Sequence, residues 1–318
     1  MLGTLAVLAL VLVPALAGTR MESWRLQCQN NLRQLQVGIQ LFTQDRGDMF
    51  PPAGYMGSGN SQMLSWDSWI YNYISGGKSV TVDQVRYGIY ALNTNDAALL
   101  GCAVGLPVVA CPVDATLPKV YWMHSDPGNP TSPLKYAIKT YEMDSAGISW
   151  GSEVQVDPQN GKYSLPDLSF NSSTRHGVGI FWQSSSGGAD WDAKGYKTSV
   201  VKDPAGTILL AEQAASEGAE GNIWPCVSAG PYCNGGSWSA LYQYDASASA
   251  KDPLYLFNNG STSEGQLLYP AHGNRFNYLC HDGHVAALRM EDTVGKASGP
   301  PNLKLSYPLG MWTVKPND

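Results

Sequence analysis

Hydrophobic and polar positions are spread unevenly along this chain. Residues 1–19 carry no charge, and Met1 to Ala17 are almost all Leu, Val and Ala, interrupted by Gly3, Thr4 and Pro14. As a helix this run is about 26 Å long at ~1.5 Å per residue, slightly short of a hydrocarbon core of about 30 Å. From Arg20 to about Asp45 good helix formers continue, and Leu32, Leu35, Ile39 and Phe42 recur at helical spacing between Gln and Asn. A helix that is apolar all round and then amphipathic puts its first half in lipid or among copies of itself. Its second half lays one face on a soluble domain. Pro14 removes one helical hydrogen bond and introduces a kink, which membrane helices tolerate. The helix is predicted to end near Asp45-Arg46-Gly47, because Pro51-Pro52 cannot continue it. Two other readings of the run compete with the membrane helix. Ala15-Leu16-Ala17 before Gly18 has the form of a signal-peptide cleavage site, although no basic residue precedes it. The third is that Met1 falls partway along a longer apolar helix, and a buried core helix of a soluble protein is the plain alternative to all of these.

Beyond Pro52 the pattern is short and irregular. Trp66, Trp69, Ile70, Tyr73 and Ile74 predict a short helix, and residues 94–101 another, with Asn95 or Asp96 near its start. Residues 80–85, 119–123, 135–141, 177–182, 207–211 and 240–244 read as strands, separated by Gly/Ser/Pro clusters. Near the end, Phe276, Tyr278 and Cys280 alternate with Asn277, Leu279 and His281. Asp282-Gly283 then predicts a type I′ turn, with Val285 and Ala287 on the returning strand and His281 and His284 as cross-strand neighbours. No repeat of fixed period occurs. The division that results is an apolar segment 1–19, an amphipathic stem 20–46 and a β-rich head 47–318 that includes the hairpin at 272–290. The fold class is α+β, with a long N-terminal helix packed on an antiparallel sheet carrying long loop insertions.

Composition narrows the function. Charged residues make up 14% of the chain, against about 25% in an average globular protein. With 43% apolar and 10% aromatic residues, the chain is too hydrophobic for disorder. A net charge of -6 lacks the basic footprint of a nucleic-acid binder, so no nucleic-acid partner is expected.

Several stretches together resemble the bacterial type IV pilin-like proteins, which include the type II secretion pseudopilins. The apolar run through Val13-Pro14-Ala15-Leu16, followed by Cys28-Gln29-Asn30-Asn31-Leu32, looks like the prepilin stem of one large subfamily, and Phe50-Pro51-Pro52 resembles the stretch after its helix. Cys111-Pro112-Val113-Asp114, Tyr136-Ala137 and the strand ending at Glu212 are similar to further elements of that subfamily. So is His272, followed by nine residues and then Asp282-Gly283, the pattern that defines it. Gly310-Met311-Trp312-Thr313 resembles a C-terminal ending of some members. The resemblance implies a bacterial cell-membrane protein with a single-pass anchor and a head exported to the periplasm or cell surface. It implies assembly with other copies or with pilin-like subunits through the N-terminal helix (Pro14, Leu32, Leu35, Ile39, Phe42), in contact with the inner membrane and the secretion or pilus machinery. It implies no reaction.

The residues themselves offer few routes to chemistry. His272, His281, Asp282 and His284 form the one His/Asp cluster in the sequence; a metal centre needs three or four converging ligands, whereas Asp282 also serves simply to make a turn and His272 to hydrogen-bond the hairpin. Asp190-x-Asp192-x-x-Gly195 resembles the start of a calcium loop, but the remaining oxygen ligands and terminal Glu are missing. The six cysteines, Cys28, Cys102, Cys111, Cys226, Cys233 and Cys280, include no Cys-x-x-Cys. Disulfides suit an exported domain. Cys226–Cys233 and Cys102–Cys111 are the local pairs, and Cys28–Cys111 would clamp the stem to the body. Six cysteines permit 15 connectivities, and Cys280 also reads as a buried thiol. There is no His-Glu-x-x-His or phosphate-cradling Gly-rich loop. Glu142 and Glu212 could be imagined as a glycosidase pair, but nothing in sequence joins them, so a non-enzymatic protein without a resident cofactor is expected. As an alternative to assembly, ten Trp and seventeen Tyr could line a polysaccharide-binding surface on an anchored or secreted head.

Overall fold

A computed structural model describes residues 2–60, 62–146 (apart from 82–83, 86–87, 94, 100, 117–118, 120 and 130), 154–156, 163–165, 177–212 (apart from 185), 218–223, 227–228, 255–258, 265–268, 272, 275–289 (which includes the terminal hairpin), 292–293 and 310–314. For 2–17, 154–156, 227–228, 255–258 and 265–268 only the backbone element is described. Cys226, Cys233 and the predicted strand at 240–244 lie outside the described residues.

The stem is one helix, α1 (Leu2–Asp45). Residues 18–23 are exposed all round, so the helix stands clear of the body there, and burial begins at Trp24. From Cys28 on, Leu32, Leu35, Ile39 and Phe42 are buried in the chain's own main core. This corrects their assignment to an assembly surface: the predicted apolar stripe is consumed within the molecule, and the outward face carries Leu26, Val37 and Leu41 instead. α1 ends where two successive left-handed residues follow it, Gly47 at φ 65 and Asp48 at φ 61. The Asp48 N–H returns to the Thr43 carbonyl at 2.9 Å, the long backward bond of a Schellman-type stop.

α2 (Trp66–Ile74) matches its predicted span. Its N-terminus is closed by a reciprocal pair between Ser65 and Ser68. α2 packs against α1 at Gly38, where a Cβ would lie 2.5 Å from Ile74 Cγ2; Gly38 is the notch that admits α2. Beneath α2 lies a buried polar knot. Lys139 Nζ donates to Ser65 Oγ at 2.7 Å and pairs with Asp67 Oδ1 at 3.5 Å, while Glu220 Oε2 accepts the Leu106 N–H at 2.7 Å. Pairing Lys139 with Asp67 is what makes the burial of those two charges tolerable.

Eleven strands occur among the described residues. β1 (Gly54–Met56), β2 (Met63–Ser65), β4 (Val154–Val156) and β5 (Phe181–Gln183) form a mixed sheet in the order β2-β1-β5-β4. β8 (Tyr255–Asn258) and β9 (Gly265–Leu268) pair as a separate antiparallel ribbon. The sheet beneath the stem has the order β11-β10-β6-β3-β7, built from β3 (Tyr141–Asp144), β6 (Ile208–Glu212), β7 (Val227–Ser228), β10 (Phe276–Cys280) and β11 (Val285–Leu288). Alternation gives it two apolar faces. Tyr141, Met143, Leu210 and Leu279 join the main core with α1, whereas Ile208, Ala211, Phe276 and Tyr278 form a second cluster closed by Trp312. Trp312 stands edge-on to Tyr278 at 5.9 Å and donates its indole N–H to Thr293 Oγ1 at 2.8 Å.

Several predicted elements differ. Residues 121–123 form a 3₁₀ turn rather than a strand, and the described part of 80–85 contains no strand. The predicted helix at 94–101 shrinks to a 3₁₀ turn at Ala97–Leu99, where Asp96 Oδ1 accepts the Ala98 N–H at 2.9 Å. Its side chain competes with the helical ladder. Of 135–141, only Tyr141 enters a strand; Tyr136 and Ile138 make isolated bridges.

Candidate functional site

The separated sequence motifs converge where the stem crosses the sheet. Cys28 on α1 is joined to Cys111 by a disulfide with Cα atoms 5.3 Å apart, so the local Cys102–Cys111 pair does not form. One helical turn on, Asn31 Nδ2 donates to the Ala110 carbonyl at 2.9 Å. The Cys111 N–H donates to Thr140 Oγ1 at 2.9 Å, and Thr140 Oγ1 donates to Asp114 Oδ2 at 2.7 Å. Asp114 is paired with Lys119 at 2.6 Å, both side chains out of water. Burial pushes the Asp114 carboxyl up, and Lys119 opposes that shift. The Cys-Pro-x-Asp stretch is thus a buried corner whose Asp114 carboxylate accepts from the Lys119 ammonium and the Thr140 hydroxyl.

Against the disulfide sit Glu212 and His272. His272 Nε2 lies 3.5 Å from Cys111 Sγ and 3.2 Å from Glu212 Oε1. The other Glu212 oxygen accepts the Asn277 N–H at 2.7 Å and its side-chain amide at 3.1 Å, and Gln29 Nε2 on the stem donates to Asn277 Oδ1 at 3.2 Å. His272 takes a left-handed backbone conformation, φ 55, uncommon outside glycine. Its side chain is fully buried, and its Nδ1 has no partner among the described residues.

The other half of the motif does something else. Gly283 N–H returns to the Cys280 carbonyl at 2.9 Å and Cys280 N–H to His284 at 2.9 Å. Gly283 has φ 96, whereas Asp282 is not left-handed. The hairpin therefore closes through a three-residue loop with a glycine bulge, not the predicted type I′ turn. This loop also separates the two histidines, which are not the cross-strand neighbours expected. His281 turns inward against Phe50 at 4.9 Å, and burial pushes its ring down to about 3. His284 turns outward and holds Asp282 at 2.7 Å. Asp282 is partly desolvated, yet the backbone and ring donors of His284 keep its carboxyl below the usual range. His272, His281 and His284 therefore do not share a site. Cys280 is a buried thiol that desolvation pushes up to about 12, far from a reactive thiolate.

Asp190 and Asp192 do not converge either. Asp190 accepts the Asp192 N–H at 2.8 Å and the Tyr163 hydroxyl, while Asp192 pairs with Arg46 at 2.5 Å. Register decides the two glutamates: Tyr141 faces Glu212 and Glu142 faces Ala211, so Glu142 and Glu212 project from opposite faces of the sheet. Pro14 falls within the α1 span, among residues whose side chains are not described. Among the described residues no helix is long and apolar enough to cross a membrane.

Sequence reasoning offered the Cys28–Cys111 bridge that clamps the stem to the body, but missed that Glu212 and His272 meet it. The available signal was that each lies in a separate motif of one resemblance. No curated protein and no solved structure matches the chain. A family model described as "Protein of unknown function (DUF1559)" matches residues 20–291, and the chain belongs to that family.

Proposed function

We propose that this protein is a non-enzymatic, pilin-like subunit, anchored in a bacterial membrane by the first part of α1 and assembled with like subunits through that helix, with an exported head. The observation that carries the reading is the division of α1. Its second part is built into the head by the Cys28–Cys111 bridge and the buried Leu32–Phe42 stripe. Residues 18–23 are exposed to solvent and follow the charge-free run of residues 1–17. A helix bonded to its own domain at one end and charge-free in sequence at the other is suited to hold that domain at a fixed distance from a membrane or a bundle of sister rods. The test compares the full chain with a variant lacking residues 2–17. The full chain is expected in the membrane fraction, with cross-links between copies at Leu26, and the truncated chain as a folded, soluble monomer. A full chain that stays soluble and monomeric overturns the reading.

One feature favours a second reading, in which the head binds polysaccharide. A cleft of about 410 Å³ opens between the end of α1 and α2, lined by Phe42, Arg46, Trp69, Asn72, Tyr73 and Trp191. Aromatic rings beside amide and guanidinium donors suit a sugar face. Glycan-array binding by the head, abolished by Trp191→Ala, would support it; no binding to any glycan would remove it.

A further inference from the structure

Four donor groups from distant parts of the chain meet inside the protein. The sulfurs of Cys28 and Cys111, a Glu212 carboxylate oxygen and a His272 ring nitrogen all lie within 4.8 Å of one another, and all four residues are buried. A bridge that serves only as a staple does not call for this surrounding. It carries no charge and is a weak hydrogen-bond acceptor, whereas an imidazole and a carboxylate withdrawn from water against it each cost desolvation. Two thiolates, an imidazole and a carboxylate are instead a donor set that a borderline-soft divalent ion accepts in tetrahedral geometry. The supporting shell is also present. Asn277 fixes one Glu212 oxygen with two hydrogen bonds and leaves the other toward His272, and Gln29 fixes Asn277. Outer contacts of this kind hold ligating carboxylates in place. His272, whose backbone is left-handed, places Nε2 3.5 Å from Cys111 Sγ and 3.2 Å from Glu212 Oε1.

We propose that Cys28, Cys111, Glu212 and His272 form a redox-gated zinc site: a disulfide when oxidised, a four-ligand zinc centre when reduced. A dithiol reductant breaks the Cys28–Cys111 bond to give two thiols, and its own two sulfurs become a disulfide. One zinc ion then takes both sulfurs as thiolates, releasing two protons to solvent, and His272 Nε2 and a Glu212 oxygen complete the tetrahedron. Either state ties the stem to the sheet, so one cross-link replaces the other.

The test uses the full chain, reduced without oxygen by a phosphine and titrated with cobalt(II), then with zinc. The expected result is one equivalent bound, with the visible bands of tetrahedral cobalt and a thiolate charge-transfer band, both bleached by zinc. His272→Ala and Glu212→Gln leave every cysteine in place and are each expected to weaken cobalt binding at least tenfold. A spectrum that is absent, or unchanged by His272→Ala, overturns the proposal. Circular dichroism supplies a second readout: one equivalent of zinc should raise the melting temperature of the reduced wild type and leave that of reduced His272→Ala unmoved. Equal responses of the two proteins overturn the proposal as well.

Discussion

Asn31 reaches the Ala110 carbonyl at 2.9 Å one helical turn after Cys28 is bonded to Cys111. The stem is therefore gripped twice on one side, by a covalent bond and by a hydrogen bond to adjacent residues of the same segment. The bridge encloses a sequence separation of 83. Closing a loop of that size removes about 4–5 kcal/mol of unfolded-chain entropy. Cys28→Ser in an oxidised sample is expected to lower stability by roughly that amount, and Asn31→Ala by about 1 kcal/mol. Urea unfolding of both variants and of the pair checks this, and the pair should fall short of the sum because the two contacts share one segment.

Lys139 is the cation among the buried acids beneath α2, paired with Asp67 and donating to Ser65. Replacing it with Met leaves Asp67 uncompensated, at a cost of about 3–5 kcal/mol. Adding Asp67→Asn should recover much of the loss. Denaturant midpoints of the single and double variants measure this, and a double variant no better than Lys139→Met would contradict it.

Stability should decline on both sides of an optimum. Burial pushes the carboxyls of Asp144 and Glu220 well above their usual range, with Asp67 adding to the shift at Glu220. Such groups hold a proton more tightly when folded, so their stabilisation is complete below about pH 4 and fades as pH rises through the raised value. His281 works in the opposite direction, because burial lowers it from 6.5 to about 3. Its contribution is complete above 6.5 and is lost as pH falls toward 3. Asp144→Asn should flatten the alkaline limb and His281→Phe the acid limb of the urea midpoint plotted against pH. Unchanged limbs would refute the assignment.

Gly38 is the notch into which Ile74 fits. Gly38→Leu should separate α1 from α2 and cost about 1–3 kcal/mol through overpacking, despite the better helix propensity of leucine. Thermal melting reads the loss, and a crystal structure of the variant would show α2 displaced.

The stem, α2, the strand at 207–211 and the terminal hairpin were legible in sequence because each is local: periodicity, a cap or a turn residue marks it. Leu32, Leu35 and Ile39 announced a stripe laid on the soluble domain, and the main core holds them there, because an amphipathic face carries its own signal in the spacing. The turn at Asp282-Gly283 was found with the wrong geometry because one dipeptide serves both a two-residue turn and a bulged loop, and only the register of β10 and β11 separates them. Asp96 misled in the same local way, its carboxylate capping a single turn that went no further. The meeting of Cys28, Cys111, Glu212 and His272 is non-local, and no spacing rule joins residues so far apart. Among the described residues the bridge that forms is the long-range Cys28–Cys111, where the stem crosses the Cys111 corner.

The second face of the central sheet is completed by residues 310–314, with Trp312 against Tyr278 and Thr313 accepting from Thr207 at 3.0 Å. These residues are synthesised after every strand they cover. A growing chain can zip β6, β10 and β11 together and still expose Ile208, Phe276 and Tyr278 on an open surface. For that interval the half-made head is sticky, and its safety depends on how quickly residues 310–314 emerge. A premature stop after β11 would thus yield a molecule with its stem correctly bonded and its opposite side adhesive, a substrate for chaperones rather than for assembly.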